Sequence, residues 1–170
     1  MTMGFLSDFN DARIAEALSV GTAAPRSASD ARHQPGKDAI RAILTMPVAI
    51  AAPDGVLRSE EAGVLAALCA TTPVFQALGV DTSQDLAEDI AARIKAEGFD
   101  PVMRAAVVEL TMTERRLALS LAMDMARYNP TFQIGDVLFL MEMQLAMGIQ
   151  DDDADLIAED HNLFGTTWAD

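Results

Sequence analysis

The sequence predicts an all-α protein, and three observations lead to this fold class. Half of the 170 residues (51%) are apolar, with Ala, Leu and Met prominent among them, whereas aromatic residues make up only 5%. Straight-chain apolar side chains favour helices over strands. From Lys37 onward apolar residues recur at steps of three and four, and no stretch alternates as a strand does. Turn and capping residues divide this pattern into segments of helical length.

The first 36 residues differ in composition from the rest of the chain. A short amphipathic helix is predicted over roughly Ser7–Ser19, followed by Thr22–Gly36, which is rich in Ala, Ser and Pro. That composition is typical of a flexible linker. We therefore predict a helical arm and linker over residues 1–36 and a helical domain over residues 37–170.

The first helix of the domain has an apolar stripe that includes Ile40, Ile43 and Leu44. Pro47 lies within this stripe and is expected to kink the helix or to start a new one, because proline lacks a backbone N–H. Pro53-Asp54-Gly55 then forms a turn. Ser59 is the predicted N-cap of the second helix.

Similar signals divide the rest of the domain. Pro73 opens a short helix that stops at Gly79, and Asp81 with Gln84 resembles a capping box for the next helix. Gly98 closes that helix, and another opens at Asp100-Pro101. Thr111 with Glu114 is a second predicted capping box. The last elements are a helix over roughly Ile134–Met147 and a short helix after Asp151–Asp153.

The charge of the chain restricts its partners. Twenty-six acidic residues and twelve basic residues give a formal net charge of −14. Such a field repels phosphate backbones, so nucleic acid is not an expected partner, whereas cations and basic protein surfaces are attracted. No targeting segment and no apolar run of membrane-spanning length is recognisable, which predicts a cytoplasmic protein by elimination.

The reactive residue types do not form a catalytic pattern. His33 lies in the linker and His161 in the tail, and no motif places a nucleophile beside either of them. The single cysteine, Cys69, excludes an internal disulfide and is expected to be a small buried thiol. Arg115-Arg116 is most simply a solvated pair near a helix start, or a partner contact. We therefore do not expect an enzyme.

A shift of 75 residues aligns the two halves of the domain around their turns. Asp54 then falls on Asn129, Leu57 on Phe132 and Glu61 on Asp136. The pattern is an Asx residue, a bulky apolar residue three positions later and an acid seven positions later. It predicts a helix–loop–helix unit used twice in a pseudo-symmetric bundle, with the apolar loop residue filling the gap between helices.

The segment Ala51–Glu61 reads A-A-P-D-G-V-L-R-S-E-E and resembles the A-x-x-D-G-x-(I/L)-x-x-x-E signature of the TerB-like (tellurite-resistance protein B) superfamily. The resemblance covers about Lys37–Leu163, but its second copy has Asn129-Pro130 in place of Asp-Gly and Asp136 in place of Glu. It implies a two-halved helical bundle in a bacterial cytoplasmic protein. The implied function is that of an acidic binding module linked to tellurite resistance, stress response and membrane-associated complexes.

The resemblance also implies a candidate metal site. Asp54 and Glu61 carry over as a cation-binding pair, and Asn129 and Asp136 would add oxygen ligands if the two loops meet. Oxygen-rich sites of this kind suit calcium or magnesium. The alternative is structural, because Asp-Gly is a common turn and a glutamate near a helix start is an ordinary cap.

Two other clusters have competing interpretations. The run Asp151–Asp155 lacks the glycine and the terminal glutamate of an EF-hand loop, having Leu156 and Asn162 instead. It is better explained as an acidic helix start or as a weak surface patch for cations. Methionines on the last two long helices suit core filling, or an adaptable groove for a partner helix; they are Met123, Met125, Met141, Met143 and Met147. The rival function is therefore a metal-independent interaction module that docks a basic or amphipathic partner.

Overall fold

The computed structural model describes residues 35–128 and 134–160, and within these ranges it contains eight helices and no strand, which confirms the all-α class. The predictions for the helix Ser7–Ser19, for most of the linker and for Asn129, Phe132 and His161 lie outside the described residues. The helices are α1 (Lys37–Ala51), α2 (Ser59–Thr71), α3 (Pro73–Gln76), α4 (Val80–Glu97), α5 (Phe99–Val108), α6 (Met112–Tyr128), α7 (Ile134–Met147) and α8 (Asp151–Asp160).

Helix α1 lies at the centre of the bundle. Residues 42–52 are all buried, and α1 packs most extensively against α6 while also contacting α2, α4 and α5. A helix that is covered on all sides needs apolar residues around its whole circumference. This requirement accounts for the nearly continuous apolar sequence from Met46 to Ala52.

The expected restart at Pro47 is wrong, because α1 continues as one helix through this residue. Proline has no N–H to donate to the carbonyl four residues earlier, which weakens a helix at that point. Pro47 is fully buried, and so are the residues on either side of it. Packing on every face therefore keeps the segment helical despite the missing hydrogen bond.

The capping predictions have mixed outcomes. At the start of α6, the Thr111 N–H donates to Glu114 Oε2 (2.8 Å) and the Glu114 N–H donates to Thr111 Oγ1 (3.4 Å), which confirms that capping box. The Asp81–Gln84 box is wrong because α4 already begins at Val80, with Gly79 as its N-cap. Ser59 is likewise the first residue of α2 and not its cap.

Two sets of side-chain contacts join helices α5, α6 and α7. The rings of Phe99, at the start of α5, and Phe139, in the middle of α7, lie 4.4 Å apart between centroids. At the other end, Arg115 donates hydrogen bonds to the carbonyls of Val107 (3.0 Å), Leu110 (3.1 Å) and Met147 (2.9 Å). These contacts join the start of α5 to the middle of α7, and the start of α6 to the ends of α5 and α7.

The interpretation of Arg115-Arg116 as a solvated pair is therefore wrong. Arg115 is half-buried and bonds three main-chain carbonyls, two of them in the last turns of α5 and α7 and the third, that of Leu110, in the connection between α5 and α6. Arg116 forms an ion pair with Asp153 in the first turn of α8. Both side chains join helices that are distant in sequence.

Cys69 is buried between α2 and α4, as the sequence predicts. It lines a small cleft with Leu57, Leu65, Ser83 and Ala87. Burial raises the pKa of the Cys69 thiol to about 11, although its hydrogen bond with Ser83 acts in the opposite direction. The thiol is therefore protonated at neutral pH.

Among the described helices, none has the length and apolar character needed to cross a membrane.

Candidate functional site

The loop between α1 and α2 uses both of its candidate metal-binding carboxylates for local structure. Asp54 Oδ1 accepts a hydrogen bond from the Val56 N–H (3.0 Å), which closes an Asx turn. Glu61 Oε2 accepts one from the Arg58 N–H (2.9 Å), the glutamate half of a capping box. Asp54 therefore shapes the turn and Glu61 caps α2.

Arg58 brings the two acidic side chains to one point. Its Nη2 donates to Asp54 Oδ2 (2.9 Å), and its Nη1 lies 3.8 Å from Glu61 Oε1. The hydrogen bond from Val56 and then that from Arg58 lower the pKa of Asp54, and the same carboxylate raises the pKa of Arg58. The chain itself thus supplies a cation between the two acids. Sequence reasoning missed Arg58, although its spacing from Asp54 and Glu61 was a usable signal.

Gly55 fixes this loop against α4. It is buried and has a φ of 73°, which favours glycine. A Cβ at this position would lie 2.5 Å from Lys95 Cβ and 2.7 Å from the Ala91 carbonyl oxygen. Two residues later, Leu57 is half-buried and packs against the core. The Asp-Gly pair therefore meets two requirements, a left-handed turn and a close approach of the loop to a helix.

The second half of the candidate metal set is described only in part. Asn129 lies outside the described residues, and Asp136 is half-buried in the first turn of α7. Within residues 35–128 and 134–160, no three or more side chains of His, Cys, Asp or Glu are grouped as a metal ion requires. The four-residue site of Asp54, Glu61, Asn129 and Asp136 stays a prediction, and the structure brings Asp54 and Glu61 together around Arg58.

Helix α7 exposes a row of large apolar side chains that sequence reasoning did not single out. Ile134, Leu138, Met141 and Leu145 are 53–72% exposed, and their spacings of four, three and four residues place them on one helix face. We call these four residues the α7 stripe. The opposite face of α7 is buried through Leu140, Met143 and Met147. A helix that is apolar on both faces is normally covered on both.

The methionine cluster divides between the core and this surface. Four of its five members are buried, which confirms core filling for Met123, Met125, Met143 and Met147. Met141 is the exposed member and belongs to the α7 stripe. The α7 stripe therefore consists of three aliphatic side chains and one flexible thioether near its centre.

The part of the chain that carries the α7 stripe is strongly acidic. Asp151, Asp152 and Asp153 form the first turn of α8, as expected for an acidic helix start. Gln144 on α7 donates to Asp151 (2.8 Å), so this acidic turn adjoins the end of α7. Residues 134–160 include no Lys or Arg and eight carboxylates, namely Asp136, Glu142, Asp151, Asp152, Asp153, Asp155, Glu159 and Asp160.

Comparisons of the chain with protein-family models, with curated proteins and with solved structures found no match. The resemblance to the TerB-like superfamily therefore depends on the signature Ala51–Glu61 and its weaker second copy. The family assignment stays a prediction.

Proposed function

We propose that this chain is an acidic helical binding module that docks a protein partner through α7, needs no metal ion to do so and has no catalytic activity of its own. The observation that carries the proposal is the α7 stripe. Soluble monomers seldom expose large contiguous apolar patches, and such patches commonly mark interaction surfaces. Here four large apolar side chains follow one another along a single helix face.

The geometry of the first loop supports independence from metal. Asp54 and Glu61 already accept main-chain hydrogen bonds, and Arg58 occupies the space between them. A divalent cation at this point would have to displace the guanidinium. Hydrogen bonds within the chain therefore hold the loop in its conformation, with no metal ion required.

One observation favours a second candidate, a TerB-like sensor of divalent cations. Two carboxylates converge on one point, and calcium or magnesium would find oxygen ligands there once Arg58 moved aside. The helix bounds also support the predicted duplication, since α6 and α7 begin 75 residues after α1 and α2, respectively. A link to tellurite resistance or stress response, and a cytoplasmic location, belong to this proposal as expectations of the resemblance.

Co-purification separates the two candidates. The tagged full-length chain would be recovered from the cells that produce it, as wild type, as a Leu138→Gln and Leu145→Gln double variant, and as Leu156→Gln. Leu156 is an equally exposed residue on α8 and serves as the matched control. Retained proteins would be identified and quantified by mass spectrometry.

We expect a specific partner to be lost from the double variant and kept by the Leu156→Gln control. Its retention should not change with a metal chelator or with Asp54→Asn. Loss of the partner on chelation and in Asp54→Asn would favour the cation sensor. Equal retention by wild type and double variant would reject α7 as the docking surface.

A further inference from the structure

We infer that the partner segment docked on α7 is a basic amphipathic helix, an inference that rests on the proposed function and specifies its partner. The dimensions of the surface are the first support. Ile134 to Leu145 covers eleven helical steps, about 16 Å at 1.5 Å per residue. A partner helix of about three turns, with apolar anchors at the same spacings of three and four, matches this length. Helices that bind in this way present such anchors to an apolar surface.

Charge complementarity is the second support. No Lys or Arg lies within residues 134–160, and Asp153 is paired with Arg116 of α6. Glu142 is exposed on α7 itself, and Asp151 and Asp152 are exposed in the first turn of α8, which adjoins the end of α7. An apolar surface with acidic surroundings favours a partner whose apolar face is flanked by Lys or Arg. An acidic or neutral helix would gain the apolar contact without the electrostatic attraction.

A second copy of the chain fits the surface less well. Each copy has a net charge of −14, so the acidic regions around two facing α7 helices would repel each other. The α7 stripe also exposes on the order of a few hundred Å², whereas a stable interface buries about 800 Å² on each partner. A single short helix covers a surface of this size, and its flanking basic residues would be attracted to the acidic surroundings of α7.

The segment Ser7–Ser19 of the same chain, which the sequence predicts to be an amphipathic helix, is also a poorer occupant. It contains Asp8, Asp11 and Glu16 but only one basic residue, Arg13. Its net charge therefore has the same sign as the surface it would cover. The charge pattern favours an occupant from another protein.

A designed peptide tests the inference directly. The probe is an 18-residue helical peptide with Leu at positions that repeat the α7 spacing and Lys with Gln elsewhere. A permuted peptide of the same composition has no continuous apolar face, and a third peptide has Glu in place of Lys. Binding to the full-length chain would be measured by titration calorimetry at low and at high salt.

We expect one peptide to bind per chain, with an affinity that falls as salt is raised. The Leu138→Gln and Leu145→Gln double variant should bind at least tenfold more weakly, whereas Leu156→Gln should stay within twofold of wild type. The permuted and the acidic peptides should also bind at least tenfold more weakly. Circular dichroism and denaturant unfolding would confirm that all variants remain folded, as exposed positions allow.

Several results would overturn the inference. Equal binding of the permuted peptide would mean that charge alone attracts the probe, and equal binding of the acidic peptide would mean that charge is irrelevant. Sedimentation equilibrium that shows a dimer lost in the double variant would assign α7 to a second copy. If the basic peptide fails while the co-purified partner still depends on Leu138 and Leu145, the helical partner is wrong and the docking function stands.

Discussion

The guanidinium of Arg115 donates a hydrogen bond of 2.9 Å to the main-chain carbonyl of Met147, so the beginning of α6 is fixed to the end of α7. The same group bonds the carbonyls of Val107 and Leu110, which adds the end of α5. One cation therefore bonds carbonyls in the last turns of α5 and α7 and a third carbonyl in the connection between α5 and α6. The helix that presents the α7 stripe is thereby held in place at its C-terminal end.

Replacement of Arg115 by Met should destabilise the fold. Hydrogen bonds from a charged donor contribute about 1.5–3 kcal/mol each, and the half-buried setting reduces their sum. We expect the free energy of unfolding to fall by about 2–4 kcal/mol in urea titrations. Arg104→Met, at an exposed position on α5, is the matched control and should change stability by less than about 0.5 kcal/mol. Equal losses in both variants would contradict the bridging role of Arg115.

Gly55→Ala should be more destabilising than a glycine substitution elsewhere with similar φ. The new Cβ would collide with Lys95 and Ala91 and would also adopt an unfavourable positive φ. Together these effects should cost about 2–5 kcal/mol. Gly148→Ala is the control, since its φ is 66° and its Cβ would meet only ordinary contact at 3.9 Å. It should lose only about 1–2 kcal/mol. Equal losses would show that the loop does not lie tightly against α4.

The buried thiol predicts a specific sensitivity to alkali. Burial raises the pKa of the Cys69 thiol from its ordinary value of 9.0 to about 11 in the folded chain. Below about pH 9 the thiol is protonated in both the folded and the unfolded state, so its burial leaves the free energy of unfolding independent of pH. As the pH rises from about 9 to about 11, the free energy of unfolding falls, because the thiol loses its proton in the unfolded state and keeps it in the folded state. The expected loss is about 2–3 kcal/mol across this window. Urea titrations of wild type and Cys69→Ala between pH 8 and 11 would measure it.

The Cys69→Ala variant should lose less stability than wild type between pH 8 and 11, since the other titratable groups are the same in both chains. A thiol reagent at pH 8 should label Cys69 slowly in the folded protein and rapidly in urea. Parallel pH profiles for the two chains, or rapid labelling of the folded protein, would contradict the burial of this thiol.

Divalent cations should leave the stability of the metal-stripped protein unchanged if Asp54 and Glu61 act only as turn and cap. A bound ion at 100 times its dissociation constant would instead add about 2.7 kcal/mol. Thermal unfolding with calcium, magnesium, manganese or zinc would measure the difference. The control is Asp54→Asn, which should abolish any specific shift. A shift in wild type that disappears in this variant would make the cation sensor the leading function.

The sequence predicted those features that depend on local pattern. Apolar periodicity identified the helices, and the capping box of Thr111 and Glu114 formed as expected because its partners are three residues apart. The Arg115–Met147 bond was missed because its partners are 32 residues apart and meet only in the assembled bundle. The new helix expected at Pro47 was wrong for a similar reason, since packing from other helices keeps α1 helical through this residue.

The sequence also predicted part of the candidate site. The spacing of Asp54 and Glu61 identified two residues that do lie together, but it did not show that Arg58 lies between them. The α7 stripe was missed because periodicity shows that a helix is apolar without showing which face its neighbours cover. Burial of Leu140, Met143 and Met147 settles this point and leaves the opposite face in solvent.

Site-specific photo-cross-linking tests the docking function of α7 most directly. A photoreactive amino acid would replace Leu138 or, as the control, Leu156 in the full-length chain within its own cells. We predict a discrete cross-linked adduct with another protein at position 138, unaffected by a metal chelator, and no such adduct at position 156. No adduct at 138, or the same adducts at both positions, would contradict the assignment of α7 as the partner-binding surface.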